Sequence, residues 1–167
     1  MAMIQTVRYA ARPDGTFAGT YVDALMPDGC TDTGIAPVDG RQIWNGSAWG
    51  DPAPLAEDLE AHLASIRYDR EVAGVTVGSM EISTDRDSQA KILAARVAAM
   101  TDPGFATTWK AANGFFPLDA AGIVGMSDAA LAHVNTCFAA EASVSALIDE
   151  EGVVDLAGVE AAFIAAL

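Results

Sequence analysis

The sequence predicts an α+β protein: a small N-terminal β-module of hairpins, a connecting amphipathic helix, and a mainly helical C-terminal domain with two β-hairpins. Three observations carry this. The first fifty or so residues are rich in turn formers set between β-branched and aromatic residues. Residues 55–73 repeat apolar positions at helical spacing. From Val75 to Leu118 the chain reads as hairpin, capped helix, hairpin, and alanine-rich helical runs follow. The expected boundaries are 1–52 for the β-module, 53–74 for the connecting helix and 75–167 for the C-terminal domain.

In order, Met3–Ala11 and Thr16–Leu25 form a hairpin around Arg12-Pro13-Asp14-Gly15, since Pro-Asp-Gly favours a tight turn. Residues 26–40 are loop, punctuated by Pro27, Gly29, Gly34, Pro37 and Gly40. Trp44-Asn45-Gly46-Ser47 predicts a two-residue turn, with Trp44 opposite Ser47 and Trp49 diagonal to Trp44 on the same face. Asp51-Pro52-Ala53-Pro54 is a linker.

In the helix at 55–73, Ala56, Leu59, Leu63, Ile66 and Ala73 occupy a and d positions, and Arg70 interrupts the seam. Only about two and a half heptads are present, short of a full coiled coil. Two fates stay open, docking on its own domain or self-association as a helical neck. Leu59, Leu63, Ile66 and Ala73 are the candidates for an oligomer interface, with a homotrimer favoured.

Val75–Val77 and Met80–Ile82 flank a Gly78-Ser79 turn. Thr84 and Asp87 have capping-box spacing, and Ile92, Leu93, Val97 and Met100 are read as one helix face. Asp102-Pro103-Gly104 ends that helix. Asn113-Gly114 is the expected tip of the second hairpin, with Trp109 plugging the core beside Phe115 and Phe116. Asp119 should cap a short helical turn ending near Gly125, Ser127 should start a longer helix, and a last helix should run from Asp155.

Charge is lopsided, with nine Lys and Arg against 23 Asp and Glu and a formal net of −14. Phosphate binding needs clustered cations, so nucleic acid is not an expected partner. No apolar run in the sequence is read as a membrane span, so no membrane insertion is expected. Cys30 and Cys137 lie too far apart for a metal knuckle, and Cys137 falls in an apolar helical stripe.

Candidate chemistry is sparse. His62 and His133 sit in separate helices without HExxH spacing, no glycine run has phosphate-loop form, and no serine sits in a nucleophile elbow. Asp85, Arg86 and Asp87 are explained by a helix start, and Asp28, Asp32 and Asp39 lack EF-hand spacing. No catalytic, metal or cofactor site is expected, and the chain is read as a non-enzyme. Trp44, Trp49 and Tyr21 are the candidate partner or glycan contacts, because flat rings stack on sugars; the competing reading is that the tryptophans hold a small module together by burial.

Residues 57–167 also contain, in order, IRYDREVAG, GVTVGSMEISTD, RDSQAKILAA, WKAANGFFPLDAAGI and LAHVNTCFAAEASVSALID. This succession resembles a domain-of-unknown-function family common in tailed-phage and prophage tail and tail-fibre-associated proteins. GTFAGTYVDALMPDG and APVDGRQIWNGSAW are similar in style to short β-segments that precede such modules. The resemblance implies a structural component of a bacteriophage tail, at the tip, baseplate or fibre attachment, made in the host cytoplasm and carried in the virion. Its partners would be other tail proteins and copies of itself. The alternatives are a tail-fibre assembly chaperone and a carbohydrate or receptor-binding module using exposed tryptophans. The family implies no catalytic residues.

Overall fold

The structure, a computed structural model, describes residues 5–167. Met3 and Ile4 of the expected first strand lie outside the described residues. The chain is mixed α and β and divides into two compact units, residues 1–54 and 55–167.

In the first unit, β1 (Val7–Ala11) and β2 (Phe17–Val22) pair antiparallel, with Tyr9 opposite Thr20 and a register shift between Ala10 and Ala11. The loop at 26–40 contains a strand that the sequence did not signal, β3 (Thr31–Asp32), which pairs with β1 at Ala10 and Ala11. The fully covered side chains here are small, Ala10 and Ala11. Larger rings must therefore close the module from its side. Trp44 N–H donates to Gly15 O at 2.8 Å, and Thr16 bridges to Ile43, so the tryptophan loop is tied to the first hairpin. Gly15 makes that approach possible. Its φ is +84°, and a Cβ there would lie 2.6 Å from Trp44 O and 2.7 Å from Ile43 Cγ2.

In the second unit, the helix expected to connect two parts is an integral element, α1 (Ala56–Val72). Asp58 accepts from Leu55 N–H at 2.9 Å at its start. Then come hairpin β4 (Val75–Val77) and β5 (Met80–Ile82), helix α2 (Arg86–Thr101), hairpin β6 (Ala106–Ala111) and β7 (Gly114–Asp119), helix α3 (Ala120–Asp149) and helix α4 (Leu156–Ala166). All the other helices pack on α3. One apolar cluster joins Leu59 and Leu63 of α1 to Ala140, Val144 and Ile148 of α3 and to Val159 and Phe163 of α4. A second joins Met80, Ile82 and Ile92 to Ala111, Met126 and Ala130, with Trp109 and Phe116 against it.

These clusters correct the seam expectation. Leu59 and Leu63 are buried inside their own unit and Ile66 packs against the same cluster. They are therefore not free to form an oligomeric neck. Ala73 is exposed at the helix C-cap, so it adds no continuous seam. The reason is geometric: a helix of 17 residues buries its stripe most cheaply on adjacent helices of the same chain.

Other local expectations shift as well. Asp85, not Thr84, caps α2, accepting from Ser88 N–H at 3.0 Å. Thr84 is buried, and its hydroxyl donates to Glu71 O. Of the expected α2 face only Ile92 points inward; Leu93, Val97 and Met100 are exposed. The second turn is one residue earlier than expected, because Ala111 pairs with Gly114 and leaves Ala112-Asn113 at the tip. Gly114 then takes φ +144° as the first residue of β7. Asn113 serves another purpose: its amide donates to Ser79 O at 2.8 Å and its oxygen accepts from Glu81 N–H at 3.1 Å, joining the two hairpins. Phe115 is exposed, while Phe116 on the other face packs inward with Trp109.

Asp119 caps as expected, accepting from Gly122 N–H at 2.8 Å, but α3 continues unbroken through Gly125 to Asp149. A lone glycine costs a helix about 1 kcal/mol, which packing on both flanks outweighs. By length and composition alone α3 is long and apolar enough to cross a membrane, contrary to the sequence reading. A core helix passes the same test; α3 packs on α1, α2 and α4 and holds Asp128 and Glu141 in ion pairs, while Leu131, Phe138 and Leu147 stay exposed.

Leu63→Ala should lower the stability of the chain by about 3 kcal/mol at every protein concentration, as deletion inside a core does. A loss seen only on dilution, by differential scanning calorimetry, would restore the neck. Gly114→Val should cost about 1 kcal/mol or more through its backbone conformation. Gly15→Val should cost more, since it adds a steric conflict with Trp44; equal melting shifts for the two variants would contradict this ordering.

Candidate functional site

The aromatic candidates sit in the first unit. Trp44 pairs directly with Trp49, not with Ser47, so the turn holds four residues, Asn45 to Ala48. The cause is the Asn45 side chain. Its oxygen accepts from Ser47 N–H and Ser47 Oγ, both at 3.0 Å, and from Ala48 N–H at 2.9 Å. That wider Asx-type turn replaces the two-residue one. The indoles meet edge to face, with centroids 5.5 Å apart and planes at 61°. Phe17 from β2 meets Trp49 at 5.8 Å and 84°. The Trp49 indole N–H donates to Ile35 O at 3.0 Å, fastening the long loop.

Both tryptophans are half-buried, and Tyr21 makes no ring contact with either among the described residues. The three candidates therefore do not form one flat platform. Edge-to-face rings at these angles are the geometry of a small core. Nearby, Arg41 chelates Asp39 and also donates to Ala53 O at 2.9 Å. The hydrogen bonds from Arg41 hold the Asp39 carboxyl down at about 2. Asp32 is engaged separately, by Gly34 N–H and Arg8. Asp28, Asp32 and Asp39 are not gathered into a metal-ligand group among the described residues.

The second unit holds a polar cluster that the sequence did not single out. Arg67 of α1 donates to Glu71 one turn along and, through Nε, to Glu141 of α3 at 3.1 Å. Its guanidinium carbon lies 4.6 Å from the centre of the Phe138 ring. Gln89 of α2 donates to Glu71 at 3.3 Å and to Thr84 O at 2.6 Å. Three helices thus meet at one guanidinium and one amide. The Arg-x-x-x-Glu spacing in α1 was the available signal, but nothing local in sequence points to Glu141 or Gln89.

The same cluster contains a cysteine and a histidine, and their chemistry is spent. His133 Nε2–H donates to Arg70 O at 3.0 Å, and the Cys137 sulfur lies 4.0 Å from that nitrogen. Burial raises the Cys137 pKa, so the thiol stays protonated at neutral pH. With its nitrogen facing the sulfur already donating elsewhere, His133 has no lone pair there to take the thiol proton. His62 pairs with Glu160 at 3.1 Å and links α1 to α4. Asp85 is held below its usual carboxylate range by Ser88, as a helix cap.

What is left open is apolar surface. On α2, Leu93, Val97 and Met100 are 61%, 57% and 70% exposed. Across a groove of about 460 Å³ between α2 and α3 stands Leu131, 57% exposed, with Ile92 at the floor and Arg96 at the rim. A second groove of about 570 Å³ runs between α1 and α4, past Ile66, Phe163 and Ile164. Exposed apolar grooves of this kind are surfaces on which another polypeptide can pack.

No curated protein and no solved structure matches the chain. Residues 54–165, from the end of the first unit through nearly all of the second, match the model of the family described as Domain of unknown function (DUF4376), and the chain belongs to that family.

Proposed function

We propose that this protein is a structural component of a bacteriophage tail, at the tip, baseplate or fibre attachment, and that it works by assembly through its surfaces. The observation that supports this best is the outward apolar stripe of α2 with the α2–α3 groove beside it. Such a surface suits a partner protein, and Arg67, Gln89 and His133 of the second unit are tied into structural bonds. The ordered resemblance of residues 57–167 to tail-associated modules supplies the setting. In this reading other tail proteins are the partners and the virion is the location.

Mass spectrometry of purified particles should find the chain at a fixed ratio to the major tail proteins. Its presence in infected-cell lysate but absence from particles would replace this reading with a tail-fibre assembly chaperone, which would use the same surfaces transiently.

A glycan-binding role has one observation in its favour, the partial exposure of Trp44 and Trp49. Their edge-to-face packing and the Trp49 bond to Ile35 weigh against it. Trp49→Ala should therefore destabilise the first unit by about 2 kcal/mol, less than a fully buried tryptophan would. Glycan-array binding should be absent before and after the change; saccharide binding lost in a normally folded Trp49→Ala variant would favour the receptor-binding alternative.

A further inference from the structure

We propose that the groove between α1 and α4 is a docking site for a cationic amphipathic helix of another protein, which lays its apolar side between the two. Helix α4 supplies the first reason. Its eleven residues include one charged side chain, Glu160, and the rest are apolar or glycine. A helix that is apolar all round belongs in a covered setting. Val159 and Phe163 turn into the core, but Leu156, Ile164 and the capping residue Leu167 remain 45%, 72% and 42% exposed. The groove uses that uncovered side. One wall is Ile66, Asp69, Arg70 and Ala73 at the end of α1. The other is Glu160, Phe163, Ile164 and Leu167. Both sets follow i, i+3, i+4, i+7, so each wall is a continuous helix face, about 10 Å long at 1.5 Å per residue. That length takes two turns of an incoming helix, whose own side chains at the same spacing would rest on Ile66 and Phe163.

Charge selects the chemistry of the occupant. From Asp149 to Leu167 the chain has five carboxylates and no Lys or Arg. Glu160 brings one of them into the groove, on the α4 wall, where its side chain is 56% exposed beside His62. Asp69 stands on the α1 wall, exposed and in no ion pair among the described residues. Arg70 is the one Lys or Arg in the lining. Arg67, one turn from Arg70, does not offset the acids, because Glu71 and Glu141 hold it. Each wall thus sets a carboxylate beside an apolar floor. A helix with lysine or arginine on both flanks of its apolar stripe meets that pattern on both sides at once. An acidic helix is repelled, and a second copy of this chain brings a formal −14 with it. The groove shares no lining residue with the one between α2 and α3, so it is a separate surface.

This inference does not depend on the tail-component reading, because it concerns a different groove and is read on the purified chain. The probe is a labelled synthetic peptide of about 18 residues, long enough to be helical, with leucines at i, i+3, i+4 and i+7 and lysines on both flanks. Titrated with the full chain and followed by fluorescence anisotropy, it should saturate well below about 1 mM, the weak end of measurable binding. The same peptide with glutamates for the lysines should not bind. Ile164→Glu should abolish binding with an unchanged melting temperature, since that side chain is largely exposed. The added negative charge would strengthen a merely nonspecific attraction of the cationic peptide, so a loss reports the groove. Asp69→Lys should weaken binding on the order of tenfold. Leu93→Glu, in the other groove, should leave it unchanged. No binding up to about 1 mM, equal binding of the acidic peptide, indifference to Ile164→Glu, or a loss through Leu93→Glu would each overturn the proposal. Sedimentation showing self-association that Ile164→Glu removes would also overturn it, by giving the groove to a second copy.

Discussion

Helix α3 has to be covered, and most of the second unit follows from that need. It runs for 30 residues with little charge and much alanine. Left in water, such a helix would expose apolar surface on every side. The chain solves this by folding α1, α2 and α4 onto it, with both hairpins filling the flank near its N-terminal half. Alanines such as Ala130 and Ala140 keep the contact surface shallow, so larger side chains from neighbours (Leu63, Ile92 and Phe163) supply the volume. Stability is then spread over two clusters at different heights along one rod, with the polar group around Arg67 between α1, α2 and α3.

That polar group orients the helices more than it strengthens them. Arg67 is largely covered, so its charge needs partners, and it has two carboxylates on different helices and a ring face. Buried ion pairs roughly break even against desolvation, but removing one partner is costly. Glu71 shows the logic. Its carboxylate takes Arg67 and Gln89, and its backbone carbonyl takes Thr84, so one residue fixes the exit of α1 relative to the entry of α2.

Structure decided by a few neighbouring residues is legible in the sequence, and structure decided by distant neighbours is not. Asp119 and Asp155 cap as expected because a cap is decided within three residues. The fold class was legible for the same reason, since each hairpin and helix carries its own turn or periodicity. Three departures from the local signals share another cause. Trp44 pairs with Trp49 because the Asn45 side chain widens the turn, Gly125 stays helical because packing overrides its propensity, and α2 buries Ile92 and Ala99 while Leu93, Val97 and Met100 of the expected face turn outward. The helical stripe of α1 was seen, but a stripe does not say whether its partner is the same chain or another. Arg67, Glu141 and Gln89 were invisible as a set, being brought together only by the fold.

The edge-to-face tryptophans have an optical consequence. Two indoles with centroids 5.5 Å apart and planes at 61° are close and skewed enough for their transition dipoles to couple. Such a pair gives a split circular-dichroism band that neither ring gives alone. The second unit has one indole, Trp109, and cannot produce that band from its own tryptophan. The first unit therefore carries a built-in, label-free signature of its own folded state, readable while the helical signal of the second unit is followed at another wavelength.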